Sequence, residues 1–154
     1  MRSKNFIRWV LIPFVFLADR VLKSWVLLSF REGEGFPLWK GVFHLTRVNN
    51  TGAAFGLWRD SSWLLAAVTG LSALAILYYL FRGRRSAGAS NRNFYAWALI
   101  ASGALGNLYD RVRFGYVIDC LDFRVWPVFN VADASICLGV FFILWSVFYA
   151  SDPA

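Results

Sequence analysis

The sequence predicts an all-α membrane protein: a four-transmembrane-helix bundle carrying a small β-domain on its extracytoplasmic side. Composition is the first reason. Of 154 residues, 58% are hydrophobic and only 16% are charged, against roughly 25% charged in ordinary soluble chains, and the mean hydropathy is +0.51. The second reason is the distribution of the apolar residues, which gather into four stretches near the length of about 20 residues that a bilayer requires. The whole chain reads as one integral membrane domain.

The first stretch, residues 6–30, contains Asp19, Arg20 and Lys23 in its second half. It is too long and too polar for a cleaved signal peptide, and no small-residue cleavage site follows its apolar core, so it is expected to be a retained span. Residues 31–60 form the longest non-spanning segment. Gly33, Gly35 and Pro37 stop any helix early, and residues 42–48 interleave β-branched and aromatic residues with polar ones, as a strand does. Asn49-Asn50-Thr51-Gly52 reads as a turn, and residues 53–58 as a second short strand or a surface-lying segment. A small sheet resting on the outer leaflet is expected, with Trp39, Trp58 and Trp63 at headgroup level.

Residues 61–81 carry no charge and make a helix roughly 31 Å long, matching a hydrocarbon core. Residues 82–93 form an inner connector rich in arginine. The third span, 94–109, is shorter and built of small residues, and the fourth covers 131–149.

The net charge of +7 is unevenly distributed. Arg2, Lys4 and Arg8 at the N-terminus have no acidic neighbour, nor do Arg82, Arg84, Arg85 and Arg92 in the connector. The other two loops mix both signs. The acid-free segments fit the positive-inside pattern, which places both termini and the connector in the cytoplasm and the mixed loops outside. No single basic face emerges, so nucleic acid is not an expected partner. Cys120 and Cys137 have no ligand cluster around them and His44 is remote in sequence, so neither a disulfide nor a metal site is expected.

Asp119 and Asp133 flank the last membrane boundary, and a carboxylate at the mouth of an apolar helix is costly to keep without a partner or a task. Asn130 and Asp133 sit three apart at a helix start, where an N-cap and an acid at the third position form a near-capping box. Capping alone accounts for both of them, but not for Asp119 and Asp122 in the same short loop. Asn107, Asp110 and Arg111 share one helical face. Asp110 lies about 24 Å up the third span, near its outer boundary, and its simplest reading is an interfacial ion pair with Arg111. Asp19 and Lys23, at i and i+4, pair and snorkel on the simplest reading. Yet Asp19 lies roughly 13 Å below the boundary, deep enough to face the bundle. Together these helices direct Asp19, Asn107, Asp110, Arg111, Asp119, Asn130 and Asp133 towards one outer-leaflet region. Two carboxylates brought close share a proton and titrate as a unit. One takes a proton from an attacking water while the other polarises the carbonyl and protonates the leaving amine.

Five segments complete the picture: Asp19-Arg20-Val21-Leu22-Lys23, Asn50-Thr51-Gly52-Ala53-Ala54-Phe55, Gly106-Asn107-Leu108-Tyr109-Asp110-Arg111, Gly115-Tyr116-Val117-Ile118-Asp119 and Phe129-Asn130-Val131-Ala132-Asp133. In that order they resemble the motifs of the lipoprotein signal peptidase (signal peptidase II) family, bacterial membrane aspartic peptidases. The resemblance covers nearly the whole chain and implies a short interfacial helix beside the outer β-domain. It implies that Asp119 and Asp133 are the catalytic dyad. Asn50, Gly52, Asn107, Arg111 and Asn130 match positions that shape the dyad's surroundings and hold substrate, and Asp19, Lys23 and Asp110 match supporting polar positions. The chain departs from the family at Cys120, where Phe usually follows the first aspartate.

The resemblance implies an endopeptidase of the bacterial cytoplasmic membrane that removes signal peptides from diacylglyceryl-modified prolipoproteins, cutting just before the lipidated cysteine. Its partners are then prolipoproteins and membrane lipid, no cofactor is required, and a monomer is expected. Two other readings are a small proton or ion transporter using Asp19 and Lys23 as a relay, and a catalytically silent lipid- or peptide-binding scaffold of the same fold.

Overall fold

The computed structural model describes residues 8–52, 62–83 and 91–149. Four long helices dominate: α1 (Leu11–Ser29), α2 (Ser62–Gly83), α3 (Asn91–Phe114) and α4 (Val131–Tyr149). A 3-10 turn at Arg8–Val10 leads into α1, and Pro13 falls in its first turn, where a missing N–H breaks no helical bond. Helix α3 is the central one, touching α1, α2 and α4. Its buried Ala96, Ala98, Ala101, Ser102 and Ala104 are all small, so neighbouring backbones approach closely. The approach is closest to α4. A Cβ added at Gly103 would collide with the Ala132 carbonyl, and one at Gly139 would lie 2.6 Å from the Ala96 carbonyl.

Helix α3 ends at Phe114, five residues beyond the expected span, and it ends for a local reason. Gly115 adopts φ +81° and donates its N–H to the Arg111 carbonyl at 3.0 Å, the left-handed glycine stop of a helix.

Three strands form one antiparallel sheet in the order β1 (Gly35–Trp39), β2 (Phe43–Asn50) and β3 (Val117–Asp122). Strand β2 extends through Asn50, so the turn expected at 49–52 starts later than the sequence suggested. Strand β3 was not expected. It joins the loop before α4 to the segment between α1 and α2, with Val48 opposite Asp119 and Asn50 opposite Val117. Its free edge is partly closed by a bridge from Leu121 to Phe129. Ile118 and Cys120, on one face of β3, pack with Val26 of α1 in a small apolar core. Residues 53–61, where a second strand or surface segment was expected, lie outside the described residues. Among the described residues no short interfacial helix is present.

Burial runs opposite to that of a soluble bundle. On α1 the side chains of Phe14, Leu17, Val21, Trp25 and Leu28 are exposed, Leu28 by 89%, while Asp19 and Lys23 are buried. Apolar surface outside and charge inside is the arrangement lipid imposes. Helices α2, over Ser62–Arg82, and α4 are long and apolar enough to cross a membrane.

Candidate active site

The site forms where the C-terminal halves of α1 and α3, the start of α4 and strands β2 and β3 meet. Asn130 sits at its centre. As the cap of α4 it accepts the Asp133 N–H on Oδ1 at 2.9 Å, while its own N–H is 3.3 Å from Asp133 Oδ2. This is the reciprocal capping box expected at the helix start. The same side chain does more, because its Nδ2 donates to Asp119 Oδ1 at 2.7 Å. Capping and the link between the aspartates are therefore one structure.

Each aspartate has a second amide. Asn50 Nδ2 donates to Asp119 Oδ2 at 2.9 Å, and Asn107 Nδ2 donates to Asp133 Oδ1 at 2.7 Å. The sheet register explains the first bond: Val48 pairs with Asp119, so Asn50 is its diagonal neighbour on the same face. A turn fixes the Asn50 amide. The Gly52 N–H donates to Asn50 Oδ1 at 3.0 Å, leaving Nδ2 for Asp119. Arg111 holds that turn from below, donating from Nη2 to the Gly52 carbonyl at 3.1 Å.

Asp119 is nearly buried. Burial, reinforced by the negative charge of Asp133, pushes its carboxyl up to about 7, against the opposing pull of the Asn50 and Asn130 amides and of Lys23. Among the described residues no cation bonds to either aspartate directly, and the four hydrogen bonds to their carboxylates named above come from neutral groups, three side-chain amides and the cap backbone N–H. Such a pair can hold one proton near neutral pH.

A second cluster lies next to the first. Asp110 binds Arg20 Nη1 at 2.6 Å and Lys23 Nζ at 2.8 Å, and Asp19 binds Arg20 Nη2 and Lys23 Nζ, each at 3.0 Å. Asp19, Lys23 and Asp110 are almost wholly buried. This corrects two expectations. Asp110 pairs with α1 rather than with Arg111, because α1 packs against its face of α3. Lys23 pairs with Asp19 as its spacing implied, but it points into the bundle instead of reaching the interface, since both its acidic partners are inside. Arg20 went unassigned in the sequence. It adjoins Asp19, whereas helical spacing singles out residues three or four apart. Its guanidinium also lies 4.8 Å from the Tyr109 ring centroid.

Asp122 belongs to neither group. Burial pushes its carboxyl up, but hydrogen bonds from the Arg124 backbone and side chain and from Thr46 outweigh this and hold it below the usual range. Cys120 points away from Asp119 into the apolar core, where burial pushes its thiol up to about 12. It is a packing residue and a poor nucleophile. Cys120 and Cys137 are both free thiols.

Known proteins resemble the chain over nearly its whole length. A model of the signal peptidase (SPase) II family matches residues 11–149. The lipoprotein signal peptidase of Halothermothrix orenii is 44% identical over 133 residues, covering 85% of this chain and 88% of its own. That of Pelotomaculum thermopropionicum is 40% identical over 146 residues, covering 95% and 94%. A solved structure of a bacterial membrane enzyme superposes with a TM-score of 0.85 at 26% identity, covering 96% of this chain and 93% of that one. The family match and these relatives show that the chain belongs to the signal peptidase II family.

Proposed function

We propose that Asp119 and Asp133 are the catalytic dyad of an aspartic endopeptidase that removes signal peptides from diacylglyceryl-modified prolipoproteins, cleaving N-terminal to the lipidated cysteine. The observation that carries this reading is Asn130, which bonds to both aspartates at once and so holds a buried and a partly buried acid side by side. With one proton between them, the ionised member draws a proton from water as it attacks the scissile carbonyl. The protonated member polarises that carbonyl and then supplies the leaving amine. Asn50, Asn107 and Asn130 aim the carboxylates, while Arg111 and Gly52 hold the turn that faces the substrate.

The outward apolar faces of α1 and the lengths of α2 and α4 support a bundle in which all four helices span the bacterial cytoplasmic membrane. The acid-free basic segments support cytoplasmic termini and an extracytoplasmic site. The substrate's lipid-anchored end then reaches the dyad from the bilayer, and water reaches it from outside. A monomer is proposed as the working state. The transporter alternative is not favoured: Asp19 and Lys23 are locked in ion pairs with Arg20 and Asp110, leaving no free relay. The silent-scaffold alternative drew on Cys120, which lies outside the dyad's hydrogen bonds.

The test is cleavage of a diacylglyceryl-modified prolipoprotein by the purified protein. Asp133→Asn and Asp119→Asn should each lower kcat by about 10³-fold or more. Cleavage at the wild-type rate by either variant would remove the proposal.

A further inference from the structure

The buried charge cluster connects to the paired aspartates at three points. Asp19 Oδ1 accepts the N–H of Ala132, the residue before Asp133, at 3.0 Å. Asp110 Oδ2 accepts the N–H of Ile118, the residue before Asp119, at 3.2 Å. These two bonds fix backbone. The third fixes a side chain: Lys23 Nζ donates to Asn107 Oδ1 at 3.0 Å, and the other end of that amide donates to Asp133 Oδ1 at 2.7 Å.

An asparagine amide has one accepting end and one donating end. Turned over, Asn107 would present its oxygen to a carboxylate and its NH₂ to an ammonium, which has no acceptor to offer. The charge on Lys23 therefore selects the orientation that serves Asp133. Asn130 Nδ2, 3.3 Å from Asn107 Oδ1, favours the same orientation.

We propose that Lys23 is a positioning residue for the dyad: it sets the Asn107 amide that aims Asp133, and its charge biases the pair towards the singly ionised state. This inference rests on the reading of Asp119 and Asp133 as the reactive pair. The charged and titratable groups that face the pair are Asp19 and Lys23 from α1 and Asp110 and Arg111 from α3; strand β2 presents the neutral Asn50, and the thiol of Cys120 on β3 points away into the apolar core. Asp19, Asp110, Arg20 and Lys23 sum to zero charge, so removing the ammonium leaves one uncompensated negative charge beside the dyad in a poorly screened interior. Lys23 indeed acts against the rise of the Asp119 carboxyl.

Lys23→Met tests this without emptying the cluster, because both acids keep Arg20 and their backbone N–H bonds. With a nearby cation gone, the pair gives up its first proton at higher pH. The acid limb of the kcat profile should move up by about one pH unit, and kcat at the optimum should fall about 100-fold through misdirection of Asp133, with KM unchanged. Lys23→Gln removes the charge but keeps a donor, so the limb should move equally while kcat falls less. If the Met variant does not fold, the Gln variant decides. An acid limb that stays in place in the folded variants, or a loss expressed only in KM, overturns the inference. Absence of cleavage by the wild-type protein would instead overturn the dyad reading beneath it.

Discussion

Asp19 and Asp110 lie close to Asp119 and Asp133; Asp19, Asp110 and Asp119 are nearly inaccessible, and Asp133 is partly buried. Their partners differ. The first two are each held by Arg20 and Lys23, whereas the second two are held by the amides of Asn50, Asn107 and Asn130. A buried acid bonded to cations serves as a structural tie. A buried acid bonded to amides keeps its orientation but remains free to gain or lose a proton. Burial alone does not make a carboxylate reactive. The identity of the neighbouring donor does.

The sharpest way to break the comparison is to remove one acid from each group. Asp110→Ala leaves Arg20 and Lys23 short of a buried counter-ion and should destabilise the protein by about 3–5 kcal/mol, measured by unfolding in detergent. Activity should then follow the folded fraction. Asp119→Asn should spare the fold and remove activity. It should also remove a pH dependence. Because the Asp119 carboxyl rises from 3.8 to about 7 on folding, the folded state binds its proton more tightly than the unfolded chain. The resulting stabilisation is complete below about pH 4 and is lost as pH rises towards 7, with a slope of at most about 1.4 kcal/mol per pH unit. The Asn variant should show a flatter curve across that window.

A smaller effect is expected where the two groups are joined mechanically. Gly103 faces the carbonyl of Ala132 and Ser135 Oγ. Gly103→Ala should cost about 1–3 kcal/mol through overpacking and should lower kcat by shifting the start of α4. The smallest effect belongs to a carboxylate outside both groups. Arg124, half exposed, bonds Asp122 at 2.9 Å, and Arg124→Ala should change stability by less than about 1 kcal/mol and leave cleavage intact.

Much of this site was readable from residue spacing. Asn130 and Asp133 signalled a capped helix, and that cap is present in the structure. What spacing could not reveal was that one amide would also reach Asp119, since the bond depends on strand β3. That strand gave no alternating pattern because both its faces are covered: Ile118 and Cys120 by the apolar core, Asp119 by Asn50 and Asn130. Strand β1 was hidden for another reason. Gly35 and Pro37 read as breakers, yet an edge strand tolerates proline, and at Gly35 a side chain would collide with Leu45 and Thr46. Asp110 shares a helical face with Arg111, but the packing of α1 decided which cation it binds.

The cap of α4 is also the clasp between Asp119 and Asp133, and the helix it opens carries no further charge over its whole remaining length. On the proposed reading, a single residue then marks both where the hydrocarbon ends and where hydrolysis begins. Lipids that thin or thicken the leaflet would raise or sink this threshold along with the helix. Since one helical turn is about 5.4 Å, a shift of that size is enough to carry the cutting plane past a peptide bond, making membrane thickness a ruler for where the chain is cut.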